Sequence, residues 1–144
     1  MTVPYVRRVA YYETDKMGIV HHSNYIRWFE EARDAYVRRY GIDYTLIEAR
    51  GILMPVTGVT CEYKRAAKYG DVAEIYVRPR FFNGVRLRYE YEVRAQDSGL
   101  LLVTGTSGHC FIDEVSRKPL NLKRLMPEYC EILLKLIEEN GGTK

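Results

Sequence analysis

Cysteine is scarce here: Cys61, Cys110 and Cys130 are three among 144 residues, odd in number and far apart. That spacing excludes a disulfide framework, a zinc knuckle and a redox dithiol, and predicts buried, reduced thiols. Neither sign of charge prevails, since 22 Lys and Arg against 19 Asp and Glu leave a net +3, spread along the chain. A basic nucleic-acid-binding tail and a disordered acidic segment are both excluded. No apolar run approaches the ~18–20 residues that a membrane span needs, and no apolar stretch with a cleavage site follows Met1. The expectation is a cytoplasmic protein without a membrane span or a nucleic-acid partner. Also missing are internal repeats, low-complexity tracts and Pro/Ser-rich linkers, so residues 1–144 read as one domain. No G-x-G-x-x-G, P-loop or H-E-x-x-H occurs, which leaves dinucleotide, nucleotide-triphosphate and zinc-protease functions without support.

What is present reads as an α+β domain. Tyr5 to Tyr12 is rich in β-formers and predicts a first strand, followed by a polar, glycine-containing loop from Glu13 to Gly18. Ser23 or Asn24 can cap a helix in which Tyr25, Phe29, Ala32, Tyr36 and Tyr40 recur at three- and four-residue steps, ending at Gly41. A short helical stretch around Thr45 to Arg50 precedes strands at Met54 to Tyr63 and Val72 to Phe82. Asn83-Gly84 predicts a type I′ hairpin, after which Val85, Leu87, Tyr89, Tyr91 and Val93 alternate with charged residues. Leu100 to Asp113 reads as one long last strand, and Pro127 opens a terminal helix with an apolar stripe over Tyr129, Ile132, Leu133, Leu136 and Ile137. Strand, long helix and antiparallel meander in that order disfavour a parallel nucleotide-binding sheet. A single sheet with open edges predicts a homodimer or homotetramer, the homodimer forming through a continued sheet.

The segment Tyr11 to Tyr25, YYETDKMGIVHHSNY, places a carboxylate, a flexible loop, two histidines and a helix start within a few residues. Such a combination can build an acyl-transfer site. Amides of a first helical turn are preorganised donors for a carbonyl oxygen that becomes negative in the transition state. Asp15, brought near that carbonyl, can attack it or take a proton from water.

At this segment the sequence resembles the hotdog-fold acyl-CoA thioesterases related to 4-hydroxybenzoyl-CoA thioesterase, including the Tol-Pal-associated branch. Arg8, Val9, Thr14, Asp15, Gly18, Ile19, Val20, Asn24 and Tyr25 match each step of the family's opening signature, and Glu31-Ala32-Arg33 repeats a further pattern on the helix. The resemblance implies an antiparallel sheet wrapped around a long central helix. It implies a thioester substrate, with Asp15 as the catalytic carboxylate and His22 as the residue whose helix-end amide polarises the carbonyl. It also makes Tyr11 an orienting tyrosine and Gly18 the loop glycine beside the substrate. A thioester suits so small a set of groups, because a thiol of pKa about 8.5 leaves without much acid assistance.

An acyl-CoA substrate, with coenzyme A as part of the substrate and no separate cofactor, brings anionic phosphates. Lys64, Arg65 and Lys68, Arg80 and Arg86, and Arg117 with Lys118 are candidate contacts. The chain departs from the 4-hydroxybenzoyl-specific type at Asn83-Gly84-Val85, where that type carries a basic cluster. Asp15, His21, His22 and His109 match no metal-ligand spacing, so no metal is expected. Ser107, His109 and Asp113 share a strand face by parity, which reads as packing, because no nucleophile elbow surrounds the serine. The reading is hydrolysis of a small or medium acyl-CoA to free acid and CoA. A hydroxyacyl-thioester dehydratase, which lacks here its His-Phe-Pro segment, and a non-catalytic thioester-binding or scaffold protein are the alternatives.

Overall fold

In the computed structural model, which describes residues 3–142, the chain runs β1 (Tyr5–Arg8), a single 3-10 turn (Tyr11–Glu13), α1 (Ser23–Arg38), α2 (Tyr44–Ala49), β2 (Ile52–Leu53), β3 (Val56–Tyr63) and β4 (Val72–Phe82). It continues through β5 (Arg86–Ala95), β6 (Leu101–Cys110), β7 (Ile112–Asp113), α3 (Leu122–Leu125) and α4 (Pro127–Glu139). Five strands form one sheet in the order β1-β4-β5-β6-β3, and β2 pairs with β7 in a second, two-stranded sheet. β1 lies antiparallel on β4, with Tyr5 opposite Ile75 and Arg8 opposite Val72. Chain contacts group the protein into two compact units, one of Met1–Tyr36, Thr60–Val77 and Tyr91–Gly105, the other of Val37–Val59, Arg78–Glu90 and Thr106–Lys144.

In the first unit α1 buries Tyr25, Trp28, Phe29, Ala32 and Tyr36, the stripe its spacing predicts, together with Ala73, Ile75, Val77, Tyr91 and Val93 of the sheet. Phe29 stacks flat on Tyr91, with ring centroids 4.2 Å apart and planes 8° from parallel. Gly105 makes room for that ring: a Cβ there would stand within 3.0 Å of Phe29 and of the Thr60 carbonyl oxygen. Tyr40, expected in the stripe, is 42% exposed because the helix ends at Arg38 and Gly41, at φ +88°, turns the chain away. Ser23 and Asn24 start α1, but neither caps it as expected. The His21 ring accepts the Ser23 N–H at 3.2 Å, and Asn24 turns inward to the Glu13 carbonyl.

In the second unit Phe82, Leu87, Tyr89 and Phe111 are buried, as are Leu133, Leu136 and Ile137 of α4. The alternation over β5 holds, with Leu87, Tyr89, Tyr91 and Val93 all buried. Further local expectations change. β1 stops at Arg8 instead of reaching Tyr12, because the following residues coil into the 3-10 turn in which Glu13 N–H returns to the Ala10 carbonyl. The turn after β4 is not type I′: Gly84 alone has positive φ, +98°, while the Asn83 side chain accepts the Val85 and Arg86 amides. The last strand divides at Phe111, and Ile112–Asp113 leaves to pair with β2. Of the thiols only Cys130 is buried; Cys61 and Cys110 are half-buried, and none is in a disulfide.

Candidate active site

The chain between the 3-10 turn and α1 folds back on itself. Thr14 bridges to Val20, Asp15 N–H donates to the Ile19 carbonyl at 2.9 Å, and Gly18 N–H donates to the Asp15 carbonyl at 2.9 Å. Gly18 adopts φ +80°, a conformation that accounts for glycine at this position. Val20 N–H binds the Ala67 carbonyl at 2.9 Å, which ties the loop to the segment after β3. The loop thus stands between the start of α1 and the end of β3.

A half-open cleft of about 210 Å³ lies there, with Asp15, His22, Lys64 and Arg65 among its polar wall and Met17, Ile19, Val20, Tyr25, Tyr63 and Ala66 around them. Asp15 is half-buried, and its Oδ1 accepts the Met17 N–H at 2.8 Å. One carboxylate oxygen therefore fixes the side chain while the other faces no donor among the described residues. His22 precedes the first residue of α1, and among the described residues its N–H has no acceptor. That amide sits where the helix concentrates partial positive charge. The His22 ring stacks on His21 at 4.1 Å, while the His21 Nδ1 is 2.8 Å from the Ser23 hydroxyl.

Two tyrosines join the lining: Tyr25, which the signature and the helix stripe both include, and Tyr63, which no sequence pattern singles out. Tyr63 lies edge-on to His22, centroids 6.3 Å apart, and its hydroxyl donates to the His22 carbonyl at 3.2 Å. Burial, aided by neighbouring Cys61 and Tyr25, pushes the Tyr63 phenol up to about 12, so it remains a donor at neutral pH. Burial also raises the thiol of Cys61, which lies two residues earlier on β3 and is not in the cleft lining. A tyrosine on a strand end carries no functional signal of its own, whereas the neighbouring Lys64-Arg65 pair stands out by charge.

The remaining candidates lie elsewhere. Tyr11 is 76% exposed, packs edge-on against Tyr69 and is not in the cleft lining; its carbonyl instead accepts both the N–H and the hydroxyl of Thr14. Lys64 and Arg65 are anchored together, since both amides donate to the Leu102 carbonyl, and the Lys64 ammonium pairs with Glu62 at 2.9 Å. Arg80 and Arg86 belong to the second unit and do not line this cleft: Arg80 pairs with Glu90 at 3.3 Å and binds the Asn140 carbonyl, and Arg86 lines another groove with Phe81 and Arg88. Ser107 and His109 are buried and bonded at 2.7 Å, but Asp113 is spent on the Val115 and Ser116 amides. No triad is assembled on that strand.

Residues 9–130 match the family model described as thioesterase-like superfamily. The chain belongs to this family. YneP of Bacillus subtilis is 35% identical over 121 residues, which are 84% of this chain and 87% of YneP. The acyl-CoA thioester hydrolase YbgC of Escherichia coli O157:H7 is 27% identical over 123 residues, 85% of this chain and 91% of YbgC. The crystal structure of the DHNA-CoA thioesterase from Staphylococcus aureus superposes with a TM-score of 0.91 and 32% identity, covering 96% of this chain and 93% of that one. The fold is the hotdog fold that the sequence resemblance implies, and the protein is a thioester hydrolase. No helix among the described residues of this thioesterase is long and apolar enough to cross a membrane.

Proposed function

We infer that this thioesterase hydrolyses acyl-CoA thioesters with a small or medium acyl group, using Asp15 as nucleophile or general base and the His22 amide to polarise the carbonyl. The observation that carries the reading is the shared cleft: Asp15, His22 and an apolar wall meet at the start of α1. A cavity of about 210 Å³ is small beside the ~300–1,000 Å³ of drug-sized ligand pockets, which favours a short acyl chain or single ring over a long chain. As general base, Asp15 takes a proton from water while the hydroxide adds to the carbonyl carbon. The negative charge on oxygen then falls on the His22 N–H, and collapse expels the CoA thiolate. As nucleophile, Asp15 forms a mixed anhydride, expels the same thiolate, and is regenerated by water. Neither route needs a cofactor beyond the CoA of the substrate. The signature from Arg8 to Tyr25 supports placing the chain in the 4-hydroxybenzoyl-CoA thioesterase branch, nearest its Tol-Pal-associated members.

Lys64 and Arg65 are the basic groups at the cleft and the natural contacts for CoA phosphates. β3 lies at the sheet edge with seven of its eight residues exposed, among them Val56, Val59 and Tyr63. An apolar edge of this kind favours a second copy of the chain, giving a homodimer or a homotetramer. Thiol release across a panel of acyl-CoA thioesters, with Asp15→Ala as the control, tests the reading. Turnover of a short or single-ring acyl-CoA that Asp15→Ala lowers by about a hundredfold or more is expected. Near wild-type turnover in that variant would remove Asp15 from the chemistry.

A further inference from the structure

Two residues before Asp15 stands a second carboxylate, that of Glu13, which is 2% exposed and is not part of the cleft lining. Its Oε1 accepts from the Arg7 guanidinium at 2.6 Å and from the Ala10 N–H at 2.8 Å; its Oε2 accepts from the Trp28 indole at 2.7 Å. All three partners are donors, so the group is held as an acceptor on both oxygens. Arg7 is itself fixed, bonded to Glu31 at 3.0 Å and lying 5.7 Å over the Trp28 ring. The main chain of Glu13 makes equally directed bonds. Its carbonyl accepts from His21 N–H at 2.8 Å and from the Asn24 side chain at 2.9 Å, the two residues that flank His22-Ser23.

One residue therefore binds β1 and α1 through its side chain, grips both sides of the helix start through its carbonyl, and lies two positions before Asp15. We propose that Glu13 is a positioning residue of the thioesterase: it sets the Asp15 loop against the His22 amide without touching substrate. The proposal rests on the assignment of Asp15 given above. A buried ion pair is a poor source of stability compared with apolar side chains of the same volume, and what it adds is direction. Here the directions converge on the two ends of the loop that carries the acid. Displacement of a reacting group by about 1 Å can cost a hundredfold in rate, so small movements of this anchor reach the chemistry.

Glu13→Gln is the informative change, because its NH2 must face at least one of the three donors. Thiol-release kinetics on the folded protein, checked by circular dichroism, are measured for Glu13→Gln, Asp15→Asn and the double variant. The expected result is a kcat lowered by about 10–100-fold in Glu13→Gln with KM within about twofold, and no further loss when it is added to Asp15→Asn. A purely structural role would lower activity by the same factor in both backgrounds, and that result overturns the proposal. So does a Glu13→Gln kcat within about twofold of wild type while Asp15→Asn is impaired. Wild-type turnover in Asp15→Asn alone overturns the assignment of Asp15, and the proposal with it, and is read from that single variant. Should Glu13→Gln not fold, Asn24→Ala removes one of the two bonds on the Glu13 carbonyl and leaves the carboxylate cluster intact. The same fall in kcat, absent in the Asp15→Asn background, supports the proposal, and an unchanged kcat overturns it.

Discussion

Arg7 Nη1 lies 2.6 Å from Glu13 Oε1, and the two ends of the pair differ in their access to water, with the arginine side chain 20% exposed and the glutamate 2%. Burial alone would raise the Glu13 carboxyl, but the bonds from Arg7, Ala10 and Trp28 and the charge of Arg7 together hold it below its ordinary value of 4.5. Glu31 is the other acid at Arg7, and Tyr5 lies beside both. A carboxyl lowered on folding stabilises the folded state above its unfolded value and loses that contribution as pH falls through the folded one. Melting temperature should therefore drop as pH is taken below 4.5, and Glu13→Gln should be less stable at neutral pH and lack part of that acid limb. Parallel profiles for the two proteins would mean that Glu13 titrates alike in both states.

The Tyr63 hydroxyl supports the helix start by donating to the His22 carbonyl. Tyr63→Phe keeps the ring wall and removes this donor, so kcat/KM should fall by about 2–10-fold, the equivalent of one net hydrogen bond. Because the phenol is pushed up to about 12, the loss should not vary with pH across the neutral range. A thiol-release assay in a series of buffers settles both points.

At Gly105 the sheet leaves no room between its backbone and the Phe29 ring of α1. Gly105→Ala drives a methyl group into the Phe29 ring and the Thr60 carbonyl, and overpacking of this kind costs about 1–3 kcal/mol. For a chain of this length the melting point should fall by several degrees, at ~2–4 °C per kcal/mol. An unchanged thermal transition would show that Phe29 can yield at no cost.

At the sheet edge Val59 is 37% exposed between Val56 and Tyr63, which are both 49% exposed. Val59→Lys places a charge in the middle of β3, the device by which natural edges avoid pairing. Light scattering should show a lower mass than for the wild-type protein, with activity falling alongside. A mass unchanged from that of the wild-type protein would remove β3 as the proposed contact between copies.

Much of this architecture can be read from periodicity, because periodicity reports which face of one element is covered. The alternation from Leu87 to Val93 and the spacing of Tyr25, Phe29, Ala32 and Tyr36 are such cases, and both faces are buried as expected. Asp15 and His22 were visible as a local pattern, and they meet in one cleft. Relations across sequence distance leave no such mark. Glu13 resembles any polar residue at the end of a strand, and only the approach of Arg7 and Trp28 makes it an anchor. Tyr63 is one of 13 tyrosines and becomes a cleft wall only when β3 passes the helix start. Arg80 and Arg86 stand out by charge beside a hairpin turn, but Arg80 is engaged by Glu90 and neither residue lines the cleft.

The loop that presents Asp15 is closed on itself by the Thr14–Val20 bridge and moored to Arg7, Trp28 and Asn24 through Glu13, whereas Tyr63, Lys64, Arg65 and Ala66 reach the same cleft from a later stretch of chain. Under the function proposed above, the acid and the helix amide come from one passage of the gene, while the cleft wall is shared between that passage and a later one. Changes at Tyr63 to Ala66 can then reshape part of the wall for a new acyl group while the passage that carries Asp15 is copied unchanged.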